Sequence, residues 1–359
     1  MDFGKNKKRT IAVISVMGVL CIAVLVAIFV LVKPGKTTYE EYSTMTFAMD
    51  TVITQSAHGP NAQKAMEEVN IALADWEKEF SMYQVGSDID RINAAAGKEG
   101  VEVSERTATL LKQAVELSAT SEGVFAITIA PLSKAWGINT DHARVVPQDE
   151  IDQLKKLVDD NSLIIEGTTV TLLHEGMGID LGGIAKGAAC SIAKEIYQKY
   201  NLDGALLSIG GNVYAYGNNN SGNQYRIGFR DPSSGNENAF ICSFTMKDLV
   251  IAVSGGYERY SDIDGERYIH IIDPRTGAPA QSDIVSVGAI REDGAISELY
   301  STTYFIWGKE RTLQDMREGG VAIMLDDENN LYVSASLEDS FNMNAEVKDQ
   351  YNVIFVEGS

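Results

Sequence analysis

This sequence is short of the side chains from which zinc sites and disulfide frameworks are built. It has three cysteines and four histidines in 359 residues. Cys21 falls in a long apolar run, so only Cys190 and Cys242 remain to pair, and no metal-type cysteine spacing occurs. His58, His142, His174 and His270 are scattered, which argues against a zinc site. Cys190 sits inside a helical pattern and reads as a small buried residue. Positive charge is also scarce: Lys and Arg number 30 against 50 Asp and Glu, a formal net charge of −20. Such a surface repels phosphate backbones and excludes nucleic acid as a partner. An anionic ligand would need a local positive pocket or a divalent cation. Neither a Gly-x-Gly-x-x-Gly fingerprint nor a Walker loop is present, since Lys186 is followed by Gly187. Internal repeats and low-complexity segments are lacking too.

What is present begins at the N-terminus. Lys5, Lys7, Lys8 and Arg9 precede residues 11–32, which carry no charge. At 1.5 Å per residue, about twenty-two residues cross a hydrocarbon core. The basic flank places residues 1–10 in the cytoplasm and the bulk of the chain outside the cytoplasm. No Ala-x-Ala pattern follows the run, so it reads as an uncleaved single-span anchor in the cell membrane. Residues 33–43 read as a polar tether. The remaining residues, about 320, suffice for one large domain or two tightly joined ones.

Periodicity predicts a strand over 45–57 and a helix opened by Pro60. In that helix Ala62, Met66, Val69, Leu73, Trp76 and Phe80 recur three and four apart, a core-packing stripe. Ser104 is a candidate cap for a helix carrying Leu110, Leu111, Ala114 and Leu117. Pro147 begins another, with Ile151, Leu154 and Leu157. Strand-like runs then dominate at 205–209, 213–216, 225–229, 240–244, 249–253, 284–290 and 321–324, separated by turn chemistry. A helix is expected after Ser297, and 351–356 is a candidate sheet edge. Consecutive strands with segregated helices indicate an α+β fold, and no linker cuts it in two.

Three segments carry chemistry. Asp180-Leu-Gly-Gly-Ile-Ala-Lys-Gly187 opens a helix and leads to Ser208-Ile-Gly-Gly-Asn212. Glycines admit a ligand close to the backbone, helix-start amides attract anions, and Lys186 adds a full charge. This suits a phosphate-bearing ligand, although a strand-to-helix turn without a ligand has the same composition. Asp264-Gly265 reads as a hairpin tip between Ser254-Gly-Gly-Tyr-Glu-Arg-Tyr260 and Tyr268-Ile-His-Ile-Ile-Asp-Pro-Arg-Thr-Gly277. His270, alone between apolar neighbours, suits a packed core residue as well as a catalyst. Glu298 and Thr302 are four apart and share a helix face, which suits Mg²⁺ or a plain solvated face.

Taken in order, these segments resemble the ApbE family, the FAD:protein FMN transferases. The resemblance runs from about residue 44 to about residue 308. It includes Phe47-Ala-Met-Asp-Thr51, Phe80-Ser-Met-Tyr83, Ser87-Asp-Ile-Asp-Arg-Ile-Asn93 and Gly123-Val-Phe-Ala-Ile-Thr-Ile-Ala-Pro-Leu132 with Trp136-Gly137, besides the motifs above and Glu298–Thr302. It implies a single α+β domain over 44–359 whose halves grip FAD. It implies Mg²⁺-dependent movement of FMN from FAD to a Thr or Ser hydroxyl of a redox protein with a Ser/Thr-Gly-Ala-Thr-like site, with release of AMP. By resemblance, Met49, Tyr83, Val124, Phe125 and Ala126 hold the flavin and its chain. Asp180, Lys186 and Ile271 match further FAD contacts. Mg²⁺ is expected at the carbonyl of Gly183 and at Glu298, Ser301 and Thr302. His270 is the candidate for assisting the incoming hydroxyl.

The chain departs from the family pattern at four positions. Ala126 and Ser191 stand where Asp is usual, Ala130 where Gly is frequent, and Glu298 where the metal-binding Asp is expected. Glu keeps the charge with a different reach. Ala126 and Ser191 are expected to remove two carboxylates from the cofactor's neighbourhood. The open alternatives are therefore a flavin-binding carrier or scaffold with weakened transfer, and hydrolysis of FAD to FMN and AMP, since water and a hydroxyl can attack from the same position.

Overall fold

The computed structural model of the chain describes residues 39–236 and 238–358. The basic stub, the anchor at 11–32 and the tether up to residue 38 lie outside the described residues. Among the described residues no helix is long and apolar enough to cross a membrane.

Nine strands form the central sheet, and they lie side by side in the order in which the chain makes them. They are β1 (Tyr42–Ala48), β2 (Thr51–His58), β3 (Gly204–Ile209), β4 (Asn212–Gly217), β5 (Leu249–Gly255), β6 (Ile284–Arg291), β7 (Ala322–Asp326), β8 (Asn330–Ser334) and β9 (Asn352–Val356). Neighbours pair antiparallel except β8 and β9, which run parallel. The runs expected at 205–209, 213–216, 249–253, 284–290 and 321–324 match strands of this sheet within a few residues, those at 225–229 and 240–244 fall in a separate sheet, and 351–356 does close an edge.

The one strand expected over 45–57 is two. Met49 and Asp50 turn between β1 and β2 with φ of 53° and 54°. Two-residue hairpin turns that follow strand twist need positive φ, usually supplied by Gly or Asn. Here Met and Asp adopt it, so the usual signal is missing.

The long helix α1 (Ala62–Phe80) buries all six residues of the predicted stripe. Gln55 of β2 lies beneath it and donates to Met66 O at 3.0 Å and to Asn70 Oδ1 at 2.6 Å, while accepting from Tyr197 OH at 3.0 Å. That buried amide ties β2 to α1 and to the second principal helix, α2 (Ala185–Lys199), with its polar atoms satisfied. Trp76 Nε1 donates to Ala185 O at 3.0 Å, fixing the end of α1 against the start of α2. Ser104 caps its helix as read, accepting from Thr107 N at 3.0 Å.

The helix expected after Ser297 starts earlier. It is α3 (Gly294–Trp307), capped by Asp293, whose Oδ1 accepts from Ala295 N and Ile296 N. Ser297 is instead a tie: its hydroxyl reaches Val250 O at 3.0 Å and Ala289 O at 2.6 Å, sewing α3 to β5 and β6. A smaller three-stranded sheet from 225–230, 240–246 and 342–343 packs a second core with residues of the central sheet. Residues 40–359 form one compact unit, and the fold is α+β.

Candidate functional site

The starts of α2 and α3 meet through their backbones. A methyl group added to Gly187 would overlap the carbonyl of Gly294, and one added to Gly294 would overlap that of Gly187. Only glycine on both sides allows this approach. The crossing brings Glu298 of α3 onto α2, where Oε2 accepts from Gly187 N at 2.7 Å and Oε1 pairs with Lys186. Lys186 Nζ also donates to Gly182 O at 2.8 Å. The Asp180 carboxylate accepts from Gly182 N at 2.9 Å, which shapes the turn before α2. The helix-start amides expected to greet an anion are partly engaged: Gly187 N by Glu298, and Ala185 N by Leu181 O at 2.9 Å. Positive charge at this point therefore comes mainly from Lys186.

These groups line a cleft of about 730 Å³. All thirteen residues singled out from the sequence lie on its wall. Glu298 and Ser301 are 4% and 1% exposed, so the solvated-face reading of the pair Glu298 and Thr302 is overturned. Ser301 Oγ donates to Glu298 O at 2.8 Å and lies 2.9 Å from Ser254 Oγ, which is 3.5 Å from Thr302 Oγ1. A Cβ at Gly183 would press to 2.7 Å of the Phe125 ring and stand 3.7 Å from Thr302 Oγ1, so glycine keeps this backbone beside the hydroxyls. Among the described residues no three His, Cys, Asp or Glu side chains converge as a metal cage. The donors here are one carboxylate, hydroxyls and a carbonyl, all hard oxygens. That set fits Mg²⁺, which keeps part of its water shell and shares phosphate oxygens.

The opposite wall is more apolar. Met49 sits on the β1–β2 turn, and Val124, Phe125 and Ile271 are buried at the cleft surface. Tyr83 stands 65% exposed at the same cleft. Its hydroxyl is pushed up to about 12, first by the desolvation it meets within the cleft and then by the carboxylates of Asp180 and Asp50. Ala126 is placed by its neighbours. Ser118 donates to Phe125 O at 2.9 Å, and Asp160 accepts from Ile127 N at 3.1 Å and Thr128 N at 2.9 Å.

His270 follows the strand Glu266–Ile269 and opens onto the cleft, so it is not a packed core residue. Its Nδ1 lies 3.1 Å from Arg259 O, which leaves Nε2 as the acceptor in the neutral ring. The side chain is exposed but sits within the cleft, where nearby protein limits its hydration. That desolvation pulls its pKa from 6.5 down to about 4, and the charges of Arg259 and Lys186 add to the effect.

Of the two positions that lack the family's carboxylate, only Ala126 lines the cleft; Ser191 lies on α2 away from it. Ser191 therefore does not border the cleft in which a cofactor is expected, and Ala126 does. Cys190 is buried, as read, and burial pushes its thiol far up.

Several cleft residues were not singled out from the sequence. Arg259 donates to Asp50 O at 3.1 Å and so pins the β1–β2 turn. Glu258 lines the cleft, and burial raises its pKa against the pull of Arg230, Lys186 and Arg259. Asn212 lines it too, its amide nitrogen buried without a partner among the described residues. All lie in or beside segments recognised as motifs, but no spacing rule picks them out.

The chain is similar to known proteins over most of its length. The profile of the ApbE family matches residues 49–325. The FAD:protein FMN transferase of Treponema pallidum is 31% identical over 79% of this chain and 83% of its own length. That of Vibrio cholerae is 27% identical over 85% of this chain and 93% of its own. The crystal structure of the ApbE protein of Thermotoga maritima superposes with a TM-score of 0.77 at 29% identity, covering 84% of this chain and 99% of that one. With half the chain and more matched, this protein belongs to the ApbE family, a family of flavin-transfer enzymes.

Proposed function

We propose that this enzyme transfers FMN from FAD to a Thr or Ser hydroxyl of a redox protein and releases AMP. The observation that carries the reading is the convergence of Lys186, Glu298, Ser301 and Thr302 at one point of a cleft whose other wall is apolar. A flavin needs the apolar wall of Met49, Tyr83, Phe125 and Ile271, and its diphosphate needs the charged point.

The chain's own groups act by positioning. Lys186 neutralises charge on the diphosphate. Neutral His270 accepts the proton of the incoming hydroxyl at Nε2. The hydroxyl oxygen then bonds to the FMN phosphorus, the bond to the AMP phosphate breaks, and AMP leaves with the electron pair. Glu298, Ser301, Thr302 and the Gly183 carbonyl would hold Mg²⁺. Bound there, Mg²⁺ supplies charge neutralisation to the phosphate oxygens. Residues 11–32 anchor the protein in the cell membrane, with 44–359 as the transferase domain outside the cytoplasm and 33–43 as its tether. The acceptor presents a Ser/Thr-Gly-Ala-Thr-like site.

One observation favours a second reading. Ala126 faces the cleft where the family pattern has a carboxylate, which suits a flavin carrier or scaffold with weakened transfer. Incubating the domain with FAD, Mg²⁺ and an acceptor domain decides between them. A fluorescent, covalently flavinylated acceptor and stoichiometric AMP support transfer. AMP and FMN without labelled acceptor mean hydrolysis, and tight FAD binding without AMP means the carrier.

A further inference from the structure

Glu298 and Lys186 satisfy each other in a way that a metal ligand and a phosphate ligand need not. The Glu298 side chain is 5% exposed and both its oxygens are engaged, one by the Gly187 amide and one by the ammonium group. The Lys186 side chain is 24% exposed and held from behind by Gly182 O. A buried carboxylate left without a counter-charge is strongly unfavourable, so the cleft needs a cation here at all times.

We propose that Lys186 is a positioning residue that stands in for the metal at Glu298 and moves to the flavin diphosphate when the metal arrives. This rests on the reading that Glu298 holds Mg²⁺ and Lys186 meets the diphosphate. An ammonium group and a divalent cation cannot share Glu298 Oε1, because like charges repel at that distance. Metal alone must displace Lys186 with no anion to receive it. FAD alone draws Lys186 away and leaves Glu298 unpaired. Bound together, each ligand removes the other's cost, so the two load cooperatively, and the coupling is reciprocal. Meanwhile the Gly187 amide holds the carboxylate through its other oxygen, whichever cation Oε1 meets.

The test is calorimetric titration of the folded protein with Mg²⁺ alone, then with FAD present at saturation. In the unaltered protein, FAD should tighten Mg²⁺ binding about tenfold, within the usual span of coupling between sites. Lys186→Met removes the competitor, so flavin-free Mg²⁺ binding should tighten about tenfold and FAD should add little further. Lys186→Arg keeps the ion pair and should behave like the unaltered protein without flavin. A merely structural ion pair predicts the opposite sign, since losing Lys186 would disorder Glu298 and weaken Mg²⁺. Flavin-free affinity that is unchanged or weaker in Lys186→Met, while Glu298→Gln still abolishes Mg²⁺ binding, overturns this proposal alone. Mg²⁺ binding that Glu298→Gln leaves untouched overturns the metal assignment and this proposal with it.

Discussion

Replacing Gly294 by alanine places a methyl group where two helices touch through their backbones. The added carbon would lie 2.8 Å from the Gly187 carbonyl carbon, nearer still to its oxygen, and 3.2 Å from Cys190 Cβ. Carbon atoms pack at about 3.5–4.0 Å, so α2 and α3 must part by roughly 1 Å. Overpacking of this kind costs about 1–3 kcal/mol. The same movement stretches the 2.7 Å bond between Gly187 N and Glu298 Oε2 beyond hydrogen-bonding range, a loss of about 1.5–3 kcal/mol for a charged acceptor. Alanine's better helix propensity returns about 0.5–1 kcal/mol. The two losses share one displacement and do not add fully, so the net expectation is about 2–4 kcal/mol. For a domain of this size that lowers the melting temperature by about 3–6 °C. Thermal unfolding followed by circular dichroism measures it, with Mg²⁺ and FAD affinities taken on the same samples. Gly235→Ala is the control, since an added carbon there meets nothing within 4 Å and its φ is not positive. A Gly294→Ala protein that melts with the unaltered one and binds Mg²⁺ and FAD equally would refute the backbone crossing as the device that sets Glu298.

Four further outcomes are expected. Glu298→Gln keeps size and hydrogen bonding but removes charge, so calorimetry should find Mg²⁺ affinity lower and FAD affinity lower with it, and Thr302→Val should act the same way more weakly; unchanged affinities in both would remove these residues from the metal site. If His270 takes the hydroxyl proton, the acid limb of kcat/KM belongs near its depressed pKa of about 4, so a limb near 6.5 that survives in His270→Gln would exclude it. The same shift acts on stability: between about 6.5 and about 4 the unfolded chain takes up a proton that the folded chain refuses, so His270 makes stability fall as pH falls through that window, and His270→Gln should flatten the slope. Ala126→Asp restores a carboxylate to the cleft wall and should raise AMP release with acceptor present while leaving FAD affinity within a few-fold, and no gain would dismiss position 126 as the source of weakened transfer.

The sequence was most legible where one element decides its own structure. The α1 stripe, the Ser104 cap and the alternating strands depend on spacing and local chemistry, and the structure has them where they were read. It was less legible where non-glycine residues take glycine geometry, as at Met49 and Asp50, or where a cap lies outside the apolar pattern, as at Asp293. The short helix Asp88–Ala94 and the small sheet of 101–102, 163–166 and 169–172 carry too little periodicity to stand out. Within the cleft, ordered motifs pointed to all thirteen residues, but not to their partners. Gly187 and Gly294 are far apart in the chain, and no pattern within either segment announces that they touch. Asp160, which holds the backbone at Ile127 and Thr128, is invisible for the same reason.

The acidity of the chain bears on how such a cleft can work. A net charge of −20 would oppose an anionic substrate if charges acted at full range. Salt screens exposed charges beyond about 8 Å, so the substrate is governed by the groups immediately around it. There the balance differs from the surface. Lys186 and Arg259 are on the wall, His270 is held neutral, and Glu298 is neutralised by its ion pair. Glu258 has its pKa raised by burial, which moves it toward the protonated form and reduces its repulsion. The local charge is thus set by pairing and desolvation, and the pairing of Glu298 depends on the glycine crossing that brings α3 against α2. Fold and chemistry meet at that contact: separating the helices would expose Glu298 to solvent, release Lys186 from it, and return the cleft toward the charge of the rest of the surface.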